Sequence, residues 1–297
     1  MTFPKQVTLV EVSPRDGLQN EKAIVPTAVK IELINRLADT GLTVIEATSF
    51  VSAKRIPQLA DASAVWQGIK KRPTVRYPVL IPNLAGLENA LAVGVKEIAV
   101  FTTPSEQFSQ KNTHCSVTES LQRIEKVTQL AKQHGLPIRG YVSCVLGCPY
   151  EGEIAAEKVA TLSKTLMALG CDEISLGDTI GVGTPNKTQQ LIECVAAQVP
   201  IKKLAVHFHD TYGQALANIY VALLCGVSVI DSAAGGLGGC PYAVGASGNV
   251  ATEDVLYMLN GMGIETGVDM QKLLGVVAFI ARELGKAPVS RVYRALQ

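Results

Sequence analysis

His207 and His209 stand two residues apart in the stretch Lys203-Leu-Ala-Val-His-Phe-His-Asp210. Leu204, Ala205, Val206 and Phe208 give it strand character, and the side chains of a strand alternate between faces. The two imidazoles therefore share one face, and Phe208 points the other way. The chain holds only 4 histidines, so half of them converge here. Neutral imidazoles on one face of a rigid strand can take adjacent coordination positions of one metal ion. The plainer alternative is a hydrogen-bonded histidine pair closing a strand end.

Other polar residues gather where apolar runs stop. VTLVEV (7–12) ends in Ser13-Pro-Arg-Asp-Gly-Leu-Gln-Asn20, which puts Arg15 and Asp16 at the C-terminal edge of a strand. Glu46 lies between Ile45 and Ala47, where a buried charge is costly unless paired, and Arg15 is the natural partner. Arg139 and Tyr141 stand in IRGYVSC (138–144), Asp178 ends EISLGD (173–178), and Asp210 follows the histidines. Each carboxylate alone also reads as a helix cap. Together they describe a ring of oxygen and imidazole donors suited to a hard or borderline divalent cation.

Such a ring needs elements that bring its members to one place. Buried-type strands are expected at 7–12, 44–50, 76–81, 97–101, 138–144, 173–178, the histidine stretch and 227–232, with helices between them. Ser116 and Glu119 form a capping-box pattern, and Thr184 precedes Pro185 as a helix start. Eight alternations at a spacing of roughly thirty residues fit a (β/α)₈ barrel, whose chemistry sits at the C-terminal ends of its strands. A doubly wound sheet would use five or six strands. The expected architecture is α/β: a single catalytic TIM-barrel domain over 1–297, with the barrel at about 7–250 and extra helices at about 251–290.

The 27 Lys+Arg against 26 Asp+Glu leave a net charge of +1, with no footprint for nucleic acid or an anionic membrane. Mean hydropathy is +0.24, yet no apolar run approaches the ~20 residues of a membrane span. The start of the chain lacks the apolar core of a signal peptide. Seven scattered cysteines do not resemble a disulfide framework, so reduced thiols and a cytoplasmic enzyme are expected. The loop from Gly235 to Asn249 packs six glycines around Cys240 and fits neither a dinucleotide fingerprint nor a P-loop. It reads as a mobile lid or as a plain connector. Asn249 and Glu253, four apart, either face the histidines or form a helix cap with a first-turn glutamate.

The motifs SPRDGLQNE (13–21), IEATSFVS (45–52), RGYVSCVLGCPYEG (139–152), EISLGDTIGVGTP (173–185), HFHDTYGQALAN (207–218) and GGLGGCPYAVGASGNVATED (235–254) closely resemble the 3-hydroxy-3-methylglutaryl-CoA lyase family. The similarity runs over essentially the whole chain, and the loop around Cys240 is its most specific part. Isopropylmalate and homocitrate synthases share the R-D-G and H-x-H elements but lack this GGCPYA segment and usually carry further C-terminal domains. Against that resemblance, the mitochondrial leader of animal members is expected to be missing, as is the far C-terminal cysteine that some of them carry, for no thiol follows Cys240.

The resemblance implies cleavage of 3-hydroxy-3-methylglutaryl-CoA to acetyl-CoA and acetoacetate, in leucine degradation and ketone-body formation. It implies a divalent cation, Mg²⁺ or Mn²⁺ before zinc, on Asp16, His207, His209 and Asn249. Arg15 would stabilise the thioester enolate, with Glu46 orienting it and His207 sharing in the catalysis. Asp178 is a candidate for acid–base work, and Cys240 for delivering a proton to the enolate carbon. Gln19, Arg139 and Tyr141 join Arg15 as substrate contacts or are structural. A homodimer is expected. The rival expectations are a lyase for a bulkier 3-alkyl substrate, a condensing synthase of the same superfamily, and a barrel kept only for binding.

Overall fold

The computed structural model describes residues 3–239 and 248–297. Its strands form one parallel sheet: β1 (Thr8–Glu11), β2 (Val44–Ile45), β3 (Thr48–Ser49), β4 (Val79–Leu80), β5 (Ile98–Thr102), β6 (Ile138–Val142), β7 (Glu173–Asp178), β8 (Leu204–Phe208) and β9 (Val229–Ser232). The hydrogen-bonded order is β2-β1-β9-β8-β7-β6-β5-β4-β3. Because β2 and β3 are halves of one run, the two ends of the sheet are the same piece of chain, and the sheet closes. The Glu46 N–H reaches the Glu11 carbonyl at 2.9 Å on one side of the seam, and the Ala47 N–H reaches Pro78 at 3.0 Å on the other. The eight expected alternations are present as a (β/α)₈ barrel, the second strand being interrupted at Glu46–Ala47.

Strands covered on both faces read as continuous apolar runs, and the parity within them decides what faces the lumen. Phe208, 1% exposed, enters the layer between sheet and helices, while His207 and, across β9, Asp231 share the inner face. One hydrophobic cluster extends from Val7 to Ile280 and takes in the helices after the barrel, Thr252–Gly261 and Met270–Leu284. The capping box forms as expected: the Glu119 N–H donates to Ser116 Oγ at 3.1 Å, and the Ser116 N–H donates to Glu119 Oε2 at 2.8 Å. Thr184 does precede the helix Pro185–Ala196, but its side chain makes no capping bond. Three short helices escaped the periodicity: Ala62–Gly68, Glu106–Thr113 and Arg291–Ala295.

Two buried carboxylates anchor the root of the glycine-rich loop. Glu11 accepts from the N–H groups of Ser13 and Ala234 (both 2.9 Å) and from Thr252 Oγ1 (2.7 Å). Both oxygens of Glu253 accept from the Gly235 N–H at 3.1 Å, where the backbone takes a φ of 70° that glycine tolerates without strain. Glu253 therefore turns toward the loop and not toward the histidines. Burial pushes its carboxyl up to about 7, against the pull of those hydrogen bonds.

A folded-state pKa raised in this way contributes stability that is full below about pH 4.5 and is lost as pH rises through about 7. Glu253→Gln keeps an acceptor for Gly235 and removes the titration. The variant should show a flatter loss of unfolding free energy between about pH 5 and about pH 8, by on the order of 1–3 kcal/mol, in urea titrations. An unchanged slope would mean that Glu253 is already ionised in the fold.

Candidate metal centre and catalytic mouth

After β1 the chain makes a wide turn over Ser13–Gly17 in which backbone bonds span five residues. The Gly17 N–H returns to the Val12 carbonyl at 3.1 Å, and the Leu18 N–H returns to Ser13. Pro14 sits at the start, where a helical turn has no use for an N–H. Turns of this π type recur at functional sites. This one carries Arg15 and Asp16 over the barrel mouth.

Arg15 is the bridge between two carboxylates. Its Nε donates to Glu46 Oε2 at 2.8 Å and its Nη1 to Asp16 Oδ1 at 2.6 Å. Glu46, 0% exposed, projects from the break in the second strand. The Tyr141 ring lies beneath, its centroid 5.6 Å from the guanidinium carbon. The other Asp16 oxygen, Oδ2, lies 3.8 Å from His207 Nε2 and 3.9 Å from His209 Nε2, and accepts from Asn249 Nδ2 at 2.7 Å. Asp16, His207 and His209 hold their ligand atoms within 4.8 Å of one another. Asn249 joins them because it precedes the helix, whose capping position belongs to Ala251.

Burial works against charge throughout this cluster, and its partners decide the outcome. Burial opposes ionisation of Asp16, but Arg15 and the two imidazoles outweigh it and hold the carboxyl well below the usual range. Arg15 is likewise disfavoured by burial and held protonated by Glu46 and Asp16. Glu46 is pushed up by its complete burial, with Arg15 pulling the other way. Burial, reinforced by His207, brings His209 down to about 4, so at neutral pH it is an uncharged imidazole with a lone pair to give. Both Nε2 atoms lie beyond hydrogen-bond distance of Oδ2, so no direct hydrogen bond joins either imidazole to the carboxylate although all three atoms face a common point. A carboxylate and two imidazoles meeting in this way fit a divalent cation, and Asn249, whose Nδ2 now donates to Asp16 and to the Leu237 carbonyl, would join them by turning its amide to present Oδ1.

The remaining expected residues divide. Tyr141 lines the site, edge-on to His207 at 5.8 Å between ring centroids. Arg139 lies below it, 4% exposed, with Nη2 at 2.7 Å from Asp231, Nε at 2.8 Å from Glu173 and Nη1 donating to the Tyr141 hydroxyl at 3.1 Å. It is enclosed by protein partners and makes no open face to a substrate. Asp178 is three residues beyond Ser175, which faces the lumen, so strand parity turns it outward. Its carboxylate accepts from the N–H groups of Val182 (3.2 Å) and Gly183 (2.7 Å), while burial pushes it up to about 6. The acid–base role expected for Asp178 does not fit this placement: its backbone carbonyl accepts from the His209 N–H at 3.3 Å, but its carboxylate turns to the Val182 and Gly183 N–H groups. Gln19 is half-buried beyond the turn and shares none of the cluster's hydrogen bonds among the described residues. Cys240 lies outside the described residues. Asp231 and Glu11 were missed. Both sit inside apolar strands, VSVIDS (227–232) and VTLVEV (7–12), and the rule that singles out Glu46 applies equally to them.

Comparison with known proteins points the same way as the geometry. A family model described as HMGL-like matches residues 6–280. The chain is 59% identical over 293 residues to "Hydroxymethylglutaryl-CoA lyase, mitochondrial" of Gallus gallus, covering 99% of this chain and 98% of that protein. It is 58% identical to "3-hydroxy-3-methylglutaryl-CoA lyase, cytoplasmic" of Homo sapiens, covering 99% of this chain and 79% of that one. The crystal structure of hydroxymethylglutaryl-CoA lyase from Pseudomonas aeruginosa superposes with a TM-score of 0.98 at 56% identity, over 100% of this chain and 99% of the other. An HMG-CoA lyase from Acinetobacter baumannii, in complex with coenzyme A and 3-methylmalate, gives 0.94 at 36% identity, over 99% and 96%. With a match that spans the barrel and the helices beyond it, this chain belongs to the HMGL-like family.

Proposed function

We propose that the chain is a lyase that cleaves 3-hydroxy-3-methylglutaryl-CoA to acetyl-CoA and acetoacetate. The observation that carries this reading is Asp16, placed between Arg15 on one oxygen and His207 and His209 on the other. One carboxylate thus couples a fixed cationic donor to a cation site, at the mouth of a barrel whose similar proteins are named as lyases of this substrate. Asp16, His207, His209 and Asn249 would hold a divalent ion, Mg²⁺ or Mn²⁺ by the share of oxygen donors, which supplies a Lewis acid for the substrate's oxygens.

The chemistry passes the C3 hydroxyl proton to a solvent water, breaks the C2–C3 bond as the ketone forms, and leaves the electron pair on the thioester as an enolate. Arg15 is the group for that oxygen, since Glu46 and Asp16 fix its guanidinium in advance and no reorganisation is needed as charge develops. His207 stands edge-on to Tyr141, whose ring lies beneath Arg15, so it would share in the catalysis from the wall of the same mouth. Cys240 delivers a proton to the enolate carbon, closing the sequence with acetyl-CoA. The thiols elsewhere are poor candidates: burial pushes Cys171 up to about 12 and Cys144 further still. Coenzyme A binding follows from the A. baumannii relative, and we extend the reading to a cytoplasmic homodimer. Relatives carry both mitochondrial and cytoplasmic names, and no helix among the described residues is long and apolar enough to cross a membrane.

An assay coupled to acetoacetate formation, run with and without chelator, tests the whole reading. Activity should vanish on chelation and return with Mg²⁺ or Mn²⁺, and His209→Ala should weaken metal binding with the fold kept. Full turnover by metal-free protein would sink the metal centre. Arg15→Gln should lower kcat by on the order of 10²–10³, with a smaller effect on KM, because the charge it meets exists mainly after bond cleavage begins. A defect confined to KM would reduce Arg15 to a binding residue. Cys240→Ser should keep the metal and lose most turnover, and alkylation that inactivates should map to Cys240; a label on Cys148 with the same loss would transfer the role.

A further inference from the structure

Asp231 is a buried carboxylate that the cleavage reaction leaves without a task. It is 1% exposed on the inner face of β9, in register with His207 on β8. Three groups reach it. Arg139 Nη2 lies 2.7 Å from Oδ1, while Ser175 Oγ and His207 Nδ1 each lie 3.1 Å from Oδ2. A carboxylate paired with a guanidinium offers acceptors only. The contact with His207 therefore requires the proton on Nδ1. A neutral imidazole that carries Nδ1–H keeps its lone pair on Nε2, and Nε2 is the atom that faces Asp16. His209 is held differently: among the described residues its one carboxylate neighbour is Asp16, through Nε2.

We propose that Asp231 is a positioning residue for the metal centre, setting the tautomer and ring orientation of His207 so that Nε2 is presented for ligation. The proposal rests on the metal reading of the mouth. Arg139 and Ser175 belong to the same device. Arg139 is clamped by Asp231, Glu173 and the Tyr141 hydroxyl, and Ser175 donates to the oxygen that His207 uses. The opposing account is that Asp231 only neutralises Arg139 inside the barrel, in which case His207 is indifferent to it.

The test uses the full chain, labelled with ¹⁵N-histidine and freed of metal. With 4 histidines, a His207→Gln variant suffices to assign the His207 signals. Long-range ¹H–¹⁵N spectra of the wild type should show the Nδ1–H tautomer at His207. An Nε2–H tautomer there overturns the proposal, and this arm needs no variant at Asp231. In calorimetric titrations with Mn²⁺, Asp231→Asn should bind on the order of 10–100-fold more weakly than the wild type and lose the Nδ1–H signature, with its circular dichroism unchanged. A folded Asp231→Asn protein with wild-type Mn²⁺ affinity overturns the proposal as well. Absence of Mn²⁺ binding by the wild type would be a different failure: it removes the metal reading itself, and the purpose assigned to Asp231 with it.

Discussion

The site depends on the ion pair between Arg15 and Glu46. Glu46 is completely buried at the closing seam of the barrel, and its Oε1 meets no hydrogen-bond partner among the described residues. Losing one member of such a pair leaves an uncompensated buried charge, which costs about 3–5 kcal/mol. The pair therefore dictates where the chain after β1 must pass. Holding Glu46 draws Arg15 across the mouth, Arg15 in turn takes one oxygen of Asp16, and the other oxygen is left facing the imidazoles. The break between β2 and β3 belongs to the same constraint, since it is there that the glutamate departs from regular strand pairing.

A second tier of charge lies deeper in the lumen. TIM-barrel interiors are ordinarily filled by branched apolar side chains. Here Leu80, Ala99 and Tyr141 form a small apolar patch on one side, while Arg139, Glu173, Asp231 and Ser175 occupy the other. The Tyr141 ring separates the tiers, with Arg15 at 5.6 Å and Arg139 at 5.0 Å from its centroid. In the lower tier one guanidinium, Arg139, serves two carboxylates, Glu173 and Asp231. Arg139, Asp231 and Ser175 each have a named partner, which is the condition for such networks to rigidify and not to weaken a core.

Much of this was legible from residue types and spacing. The eight alternations gave the barrel, the H-x-H spacing placed two imidazoles on one face, and a lone charge in a buried strand pointed from Glu46 to Arg15. Parity explains the main failure. Asp178 ends its strand as the other site residues do, but it is an odd number of positions from Ser175 and so leaves the lumen. Asn249 and Glu253 were equivalent in the sequence, and tertiary contacts separate them, one going to Asp16 and the other to Gly235. Asp231 and Glu11 carried the same signal as Glu46 and were overlooked. The five-residue bonds of the turn after β1 left no mark in the sequence, since they depend on which N–H groups the Val12 carbonyl can reach.

That turn also bears on how the family can vary in length. A π turn is an α turn with one residue added. Deleting any single residue between Val12 and Leu18 would restore ordinary helical winding and rotate the downstream chain by about 100°. When the residue lost is Ser13 or Pro14, Arg15 and Asp16 would then swing off the mouth together, although every side chain needed for chemistry would still be present. Loops around the far end of the barrel can gain or lose residues at small entropic cost. Here the count itself is constrained, and a one-residue gap in this segment would mark a descendant that had given up the reaction while keeping the barrel.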